Sequence, residues 1–346
     1  MKNFITIFLL IFYLTGFSQE KDKISIGKRL FINSNVLNEQ REIWIYVPEE
    51  LDLGTNNQKV YPVIYLLDGE NLFYLTTGMI EFLSKNDLCP KMIIVGIINK
   101  NRSRDLTPTH VSTWPESGGA NNFTNFLKNE LIPYIDSHYA TASYKTLIGH
   151  SLAGGFVLYS LIHSSDIFDS YIAIDPSIFW DNNVLVRQMR ESIGKIDLSK
   201  EVIYMPYTFS EKNFDSLQIR KDSSEITQSI RTKFEFYDIL NSLQSNKGIS
   251  VKSNFYKKEA HSYVPLISIY DGIQFIFDFY KPPVIPNNID TLKKAKTIIQ
   301  NHYDRVSEKI EFKVLPPDNL IETVLYMYQL NNLNDRMNDI LELKNK

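Results

Sequence analysis

Short runs of consecutive apolar residues alternate along the chain with segments whose apolar residues recur at helical spacing. Buried strands are predicted for the runs at 61–68, 92–98, 171–175, 202–207 and 251–257 and for a run that ends at 147–148, and a β-hairpin is predicted for 24–47. Helices are predicted for 123–135, 152–164, 226–243 and 267–280. Strands that are apolar throughout and alternate with helices indicate an α/β fold, with a mostly parallel central sheet covered by helices on both faces.

The two ends of the chain have different patterns. Residues 281–288 are typical of a linker, and helices predicted for 291–309 and 320–344 follow it. A single helix pair buries little apolar area, so we expect this extension, residues 283–346, to dock on the main domain, residues 19–282.

At the N-terminus, a short positive segment precedes an apolar run at 4–17 and small residues before Gln19. This pattern predicts a signal peptide over residues 1–18, with an uncleaved anchor as the alternative.

Export to the periplasm or the medium is therefore expected, with no membrane span left after cleavage.

The chain has 37 Lys and Arg against 40 Asp and Glu, a net charge of −3 that argues against a nucleic-acid partner. Its single cysteine, Cys89, excludes an intramolecular disulfide and is expected to be a buried apolar residue. No Cys/His cluster has metal-ligand spacing, so no metal is expected, and no organic cofactor is expected either.

The segment Gly149-His-Ser-Leu-Ala153 links a predicted strand to a predicted helix. Gly-x-Ser-x-Gly in this context forms the nucleophile elbow, a strained turn that exposes a serine hydroxyl. Here Ala153 replaces the last glycine, and a structural turn is the alternative. The serine is a candidate nucleophile only if a base can take its proton.

His261 is the predicted general base, because it follows the strand at 251–257 in a loop where ligands of such sheets bind. The other histidines are placed elsewhere: His163 points away at a helix end, His302 is in the extension, His150 is a packing residue, and His110 and His138 precede the elbow. The chain order does not decide which carboxylate orients the base. Glu211 is the first choice, and Asp215, Asp181, Asp175, a strained contact from Glu259, and a Ser–His dyad remain open.

Acyl transfer also needs two N–H groups for the developing oxyanion. These are expected from Leu152, at the positive end of its helix, and from the turn at Gly69 and Glu70. Arg104, with Arg102, is a candidate for binding an anionic substrate group or for pairing with Asp105. Trp180 is a candidate aromatic wall of the site or a core residue.

Several further segments match one known family. They are Tyr65-Leu-Leu-Asp-Gly69, Arg104-Asp-Leu-Thr-Pro108, Gly118-Gly119, residues 129–135, Leu147-Ile-Gly-His-Ser-Leu-Ala153, Asp175-Pro-Ser177, Trp180-Asp-Asn182, residues 261–266 and Tyr270-Asp-Gly272. Over residues 24–280 the chain resembles the esterase family of α/β-hydrolases that includes esterase D and the enterochelin esterases. It departs from the family at Ala153 and at Ser262-Tyr263, where Gly-Ser is frequent.

The resemblance implies an α/β-hydrolase fold, Ser151 as nucleophile and His261 as base. It implies a serine esterase whose substrate is a siderophore ester or a carbohydrate ester, since family members cleave both, and it leaves the substrate open. Two alternatives remain: a non-catalytic binding module on a hydrolase scaffold, and an acyltransferase.

Overall fold

The computed structural model describes residues 25–48, 60–209 and 215–344, so the predicted signal peptide at 1–18 lies outside the described residues. The strands in these ranges are β1 Lys28–Ser34, β2 Glu39–Tyr46, β3 Tyr61–Leu66, β4 Ile93–Ile97, β5 Thr141–His150, β6 Ser170–Ile174, β7 Val202–Tyr204, β8 Tyr207–Thr208, β9 Ser250–Lys252 and β10 Phe255–Tyr256.

The α-helices in the same ranges are α1 Gly69–Lys85, α2 Arg102–Leu106, α3 Ala120–Phe126, α4 Ile132–His138, α5 Leu152–His163, α6 Trp180–Ser192, α7 Ser216–Lys221, α8 Gln228–Lys247, α9 Val264–Ile276, α10 Ile289–Leu292, α11 Ala295–Ile310, α12 Asp318–Leu330 and α13 Met337–Leu341. A π-helical turn, Leu127–Leu131, joins α3 to α4.

Eight strands form one sheet in the order β1-β2-β4-β3-β5-β6-β7-β9. The pairs β1–β2 and β2–β4 are antiparallel, and the remaining pairs are parallel. The predicted hairpin and the mostly parallel central sheet are therefore confirmed. Strands β8 and β10 form a separate parallel pair, so the runs at 202–207 and 251–257 are each split in two. Pro206 explains the first break, because proline has no N–H to donate to a neighbouring strand.

Two long helices were not predicted. Helix α1 buries Leu72, Phe73, Ile80 and Leu83 at helical spacing, but its Thr76, Thr77 and Gly78 have low helix propensity and obscure that spacing in the sequence. Helix α6 is interrupted at 181–183 by three residues of left-handed backbone, which ordinary helical patterning does not anticipate.

Buried side chains form a cluster on each face of the sheet. Phe123 and Phe156 belong to one cluster, and Phe73 and Ile273 belong to the other. Val306 and Ile310 of α11 join the second cluster, so the C-terminal extension docks on the main domain as expected. The extension also has a small core of its own, and the predicted domain boundary at 282/283 stays a prediction.

None of the helices in the described ranges combines the length and the apolar character that a bilayer crossing requires.

Candidate active site

Ser151 occupies a sharp turn between β5 and α5. Its backbone angles are φ 61° and ψ −117°, a conformation that a residue with a side chain rarely adopts. Gly149 makes the turn possible, because a Cβ there would lie 2.5 Å from the Ala153 carbonyl oxygen and 3.0 Å from the Ala153 Cβ. The missing side chain at Gly149 thus leaves room for Ala153, which explains how this chain accommodates the departure from Gly-x-Ser-x-Gly.

Backbone hydrogen bonds fix this turn to the end of β6. The Ser151 N–H donates to the Ile174 carbonyl at 3.0 Å, and the Ser151 carbonyl accepts from the Ser177 N–H at 2.9 Å. The half-buried Ser151 hydroxyl lies 3.4 Å from the Ser177 hydroxyl. The serine is therefore presented at the carboxyl edge of the sheet, where ligands bind in such folds.

His261 and Asp175 form the second part of the site. The His261 Nδ1–H donates to Asp175 Oδ2 at 2.6 Å, which leaves the lone pair on Nε2 of the neutral ring free to accept a proton. The imidazole is 53% exposed, whereas the Asp175 side chain is only 3% exposed. In the described structure Nε2 makes no hydrogen bond to Ser151, and such contacts are often long before substrate binds.

The other oxygen of Asp175 accepts two further hydrogen bonds. Lys233 Nζ donates to Oδ1 at 2.5 Å, and the Thr208 N–H donates to it at 3.1 Å. Burial is the largest single influence and favours the neutral acid, but the hydrogen bond from His261 and the charge of Lys233 outweigh it and lower the pKa of Asp175. The Thr208 hydroxyl donates to the carbonyls of Tyr256 and Glu259, so one residue ties the acid to the loop of the base.

Of the carboxylates considered from sequence, the structure brings Asp175 to the histidine. Glu211, the first choice, lies outside the described residues. Asp215 caps α7 by accepting from the Gln218 N–H at 2.8 Å, and Asp181 accepts from the Thr109 hydroxyl at 2.7 Å. Asp175 follows β6, the strand beside the elbow strand, and that position was the signal for it in the sequence.

The predicted oxyanion donors lie at two helix N-termini. Leu152 is the first residue of α5, and Gly69 and Glu70 are the first residues of α1. N–H groups in a first helical turn have no partner inside the helix, and they carry its positive dipole end. Because β3 and β5 are neighbouring parallel strands, these two helix ends start from the same edge of the sheet. Their role as oxyanion donors stays a prediction.

Arg102 links these two turns. Its guanidinium donates to both carboxylate oxygens of Asp68, at 2.7 and 2.9 Å, and to the His150 carbonyl at 3.0 Å. Asp68 precedes Gly69 and has left-handed backbone with φ 53°. Arg102 therefore holds the α1 turn against the residue that precedes Ser151.

Comparison with known proteins identifies the family of the chain. The model of the "Putative esterase" family matches residues 34–228, more than half of the chain. The chain belongs to this family. It is a carboxylic ester hydrolase with the α/β-hydrolase fold.

Individual relatives carry more specific names. The ferri-bacillibactin esterase BesA of Bacillus subtilis is 29% identical in an alignment of 242 residues that covers 62% of this chain and 78% of BesA. The siderophore enterobactin esterase of Emericella nidulans is 29% identical in an alignment of 164 residues that covers 41% of this chain and 54% of that protein. An IroE-like serine hydrolase structure from Shewanella oneidensis superposes with a TM-score of 0.73 at 29% identity, covering 92% of this chain and 99% of that one.

Arg104 of this esterase is engaged in ion pairs. Its guanidinium lies 2.7 Å from Glu39 and 2.7 Å from Asp105, and the fully buried Arg41 contacts the same two carboxylates. Burial alone would raise the pKa of Glu39, but the hydrogen bonds and the positive charges of Arg104 and Arg41 outweigh it and lower that pKa to about 2. The contacts favour the pairing alternative for Arg104 over substrate binding.

Trp180 is 7% exposed, and its indole N–H donates to the Thr109 carbonyl at 3.1 Å. It packs edge-on against Trp114, which is 49% exposed, at 5.7 Å between ring centroids. The structure thus places Trp180 largely in the core, where it supports a more exposed aromatic ring.

Two polar residues lie beside the candidate catalytic groups. The sequence analysis gave His150 no catalytic role and did not single out Lys233. The His150 ring lies 4.4 Å from the His261 ring, and burial, followed by repulsion from His261, lowers the pKa of His150 to about 4. The sequence signal for Lys233 was a lysine within the buried stripe of α8, three residues after Ile230 and three before Phe236. Among the described residues, no group of three potential metal ligands comes together.

Proposed function

We propose that this esterase is an exported serine hydrolase that cleaves a siderophore ester through an acyl-enzyme. Ser151 is the nucleophile, His261 the general base and Asp175 the acid that orients it. The single observation that carries the proposal is the pairing of His261 with buried Asp175 at 2.6 Å beside a serine held in a strained elbow.

In this mechanism the Ser151 hydroxyl attacks the ester carbonyl carbon while His261 Nε2 accepts its proton. The N–H groups of Leu152 and of Gly69 or Glu70 stabilise the oxyanion. The tetrahedral intermediate collapses as His261 protonates the leaving alcohol, which leaves an acyl group on Ser151. Water then attacks that acyl group, again with His261 as base, and the carboxylic acid is released.

The substrate proposal rests on the relatives, since both named esterases act on siderophores. We favour a siderophore ester over a carbohydrate ester for this reason. Export rests on the apolar N-terminal segment of the sequence. N-terminal sequencing of the protein recovered from the producing cell tests export, and the expected first residue is Gln19.

The first test is hydrolysis of p-nitrophenyl acetate and butyrate by the wild type and by Ser151→Ala and His261→Ala. Each variant should lose at least about a thousandfold in kcat/KM, because the nucleophile and its base act as one unit. His163→Ala is the matched control, since His163 lies at the far end of α5 and contacts Gln188. Activity that survives in both catalytic variants contradicts the proposed mechanism.

The substrate is tested with bacillibactin and enterobactin, each with and without ferric ion, beside an acetylated polysaccharide. Mass spectrometry of the products should show ester cleavage of a siderophore and little release of acetate. Cleavage of the polysaccharide alone would leave the mechanism intact and contradict the siderophore proposal.

A further inference from the structure

A buried ammonium group lies on the side of Asp175 that faces away from His261. Lys233 Nζ is 2.5 Å from Asp175 Oδ1, and the two side chains are only 9% and 3% exposed. Lys233 is carried by α8, a different element from those that supply the serine, the acid and the base. A charge buried this deeply affects its neighbours more strongly than a surface charge does.

The remaining groups around the pair add little net charge. His150 faces His261 from the end of β5 and is neutral above about pH 4 because burial and His261 lower its pKa. Asp68 lies beyond His150 and is neutralised by Arg102 at 2.7 Å. From β8, only the Thr208 backbone N–H reaches Asp175.

On the loop of the base itself, Lys257 and Lys258 are exposed and Glu259 is only partly buried, so water and salt screen all three charges. Among the described residues, Asp175 and its partner Lys233 are therefore the two fully buried formal charges on this side of His261, and they cancel. Protonation of His261 consequently adds an unbalanced positive charge to the site. In an Asp–His pair without a lysine, the positive charge of the protonated histidine would instead balance the negative charge of the carboxylate.

We propose that Lys233 is a positioning residue that weakens proton uptake by the His261–Asp175 pair, so that the base stays neutral in more acidic solution. This inference rests on the proposed serine mechanism. A charge within about 4–6 Å shifts a titration by about 1–3 pH units, and a charge of the same sign, as Lys233 has towards protonated His261, disfavours the charged form. Lys233 acts on His261 through Asp175, so we expect a shift of about one unit.

The test measures the rate at which a fluorophosphonate labels Ser151 between pH 4 and pH 9. In Lys233→Met the acid limb of this profile should move up by about one pH unit, while the plateau rate stays within about threefold of wild type. NMR titration of the His261 ring protons should show the same displacement. Lys233→Arg, which keeps the charge, should leave the limb in place.

The matched control is Lys221→Met, which removes the same formal charge from an exposed residue of α7 and should leave the profile unchanged. If Lys233→Met does not fold, Lys233→Gln keeps a hydrogen-bond donor to Asp175 without the charge and should give the same shift.

An acid limb that coincides with that of the wild type would overturn the inference. A labelling rate that falls equally at every pH would overturn it too, because a merely structural contact has that effect. Failure of the wild type itself to label at Ser151 is a different result, since it contradicts the proposed serine mechanism and not the role of Lys233 alone.

Discussion

Asp175 has the contacts that a catalytic acid needs: it is buried, ionised and hydrogen-bonded to Nδ1 of His261. Sequence alone could place Ser151 and His261, because the elbow and a strand-end loop are local patterns. It could not choose among Glu211, Asp215, Asp181 and Asp175. Several loops follow strand ends, and only their paths in space decide which carboxylate reaches the imidazole.

Replacement of Asp175 by asparagine should lower kcat by about 10³–10⁴, because an amide neither fixes the ring tautomer nor stabilises the imidazolium. Glu211→Gln should change kcat by less than about threefold. Steady-state hydrolysis of p-nitrophenyl acetate measures both, with circular dichroism to verify folding, since Asp175→Asn leaves Lys233 buried without its anion. The reverse ranking of the two variants would return Glu211 to the role of the acid.

The helix that follows the elbow packs closely on the neighbouring strand. A Cβ at Gly154 would lie 2.8 Å from the Ile174 carbonyl oxygen, the same oxygen that accepts from the Ser151 N–H. A Cβ at Gly155 would have its nearest neighbour at 3.5 Å, an ordinary contact. A side chain is therefore sterically excluded at Gly154 but has room at the adjacent Gly155.

Gly154→Ala should destabilise the protein by about 1–3 kcal/mol, the usual cost of overpacking, and should also lower kcat, because Ile174 must move away from the elbow. Gly155→Ala should be neutral or stabilise by up to about 1 kcal/mol, since alanine favours a helix more than glycine does. Thermal unfolding followed by circular dichroism compares the two. Equal changes in Tm for both variants would show that the close approach at Gly154 does not constrain the turn.

Elements with a uniform pattern were predicted well, and those with local exceptions were not. The apolar runs of β3, β4 and β6 and the helix α5 lie where the sequence placed them. By contrast, α1 was missed because threonine and glycine interrupt its apolar face, and β7 and β8 were merged across Pro206. The role of a polar residue inside an apolar stripe, such as Lys233, can be inferred only when the three-dimensional structure shows its partner.

The two ends of the parallel strands have buried carboxyl groups in different surroundings. At the carboxyl edge Asp175 is matched by Lys233, whereas at the opposite edge Glu201 and Asp169 precede neighbouring parallel strands. Glu201 is 8% exposed, and its Oε2 is buried without a hydrogen-bond partner among the described residues. Burial, and then repulsion from Asp169 and Asp197, raise the pKa of Glu201 to about 8.

This raised pKa predicts how stability depends on pH. The folded protein holds the Glu201 proton up to about pH 8, whereas the unfolded chain releases it near 4.5, so the stabilisation present below 4.5 is lost as the pH rises through 8. Glu201→Gln removes this loss, so the stability of the variant relative to the wild type should rise by roughly 3–5 kcal/mol between pH 5 and pH 8.5, since each pH unit between the two pKa values costs about 1.4 kcal/mol. Denaturant unfolding at pH 5, 7 and 8.5 measures the effect. Glu191→Gln makes the same charge change at an exposed position and should leave the curve unaltered. A constant difference between Glu201→Gln and the wild type at all three pH values would mean that Glu201 is already ionised in the folded protein at pH 5.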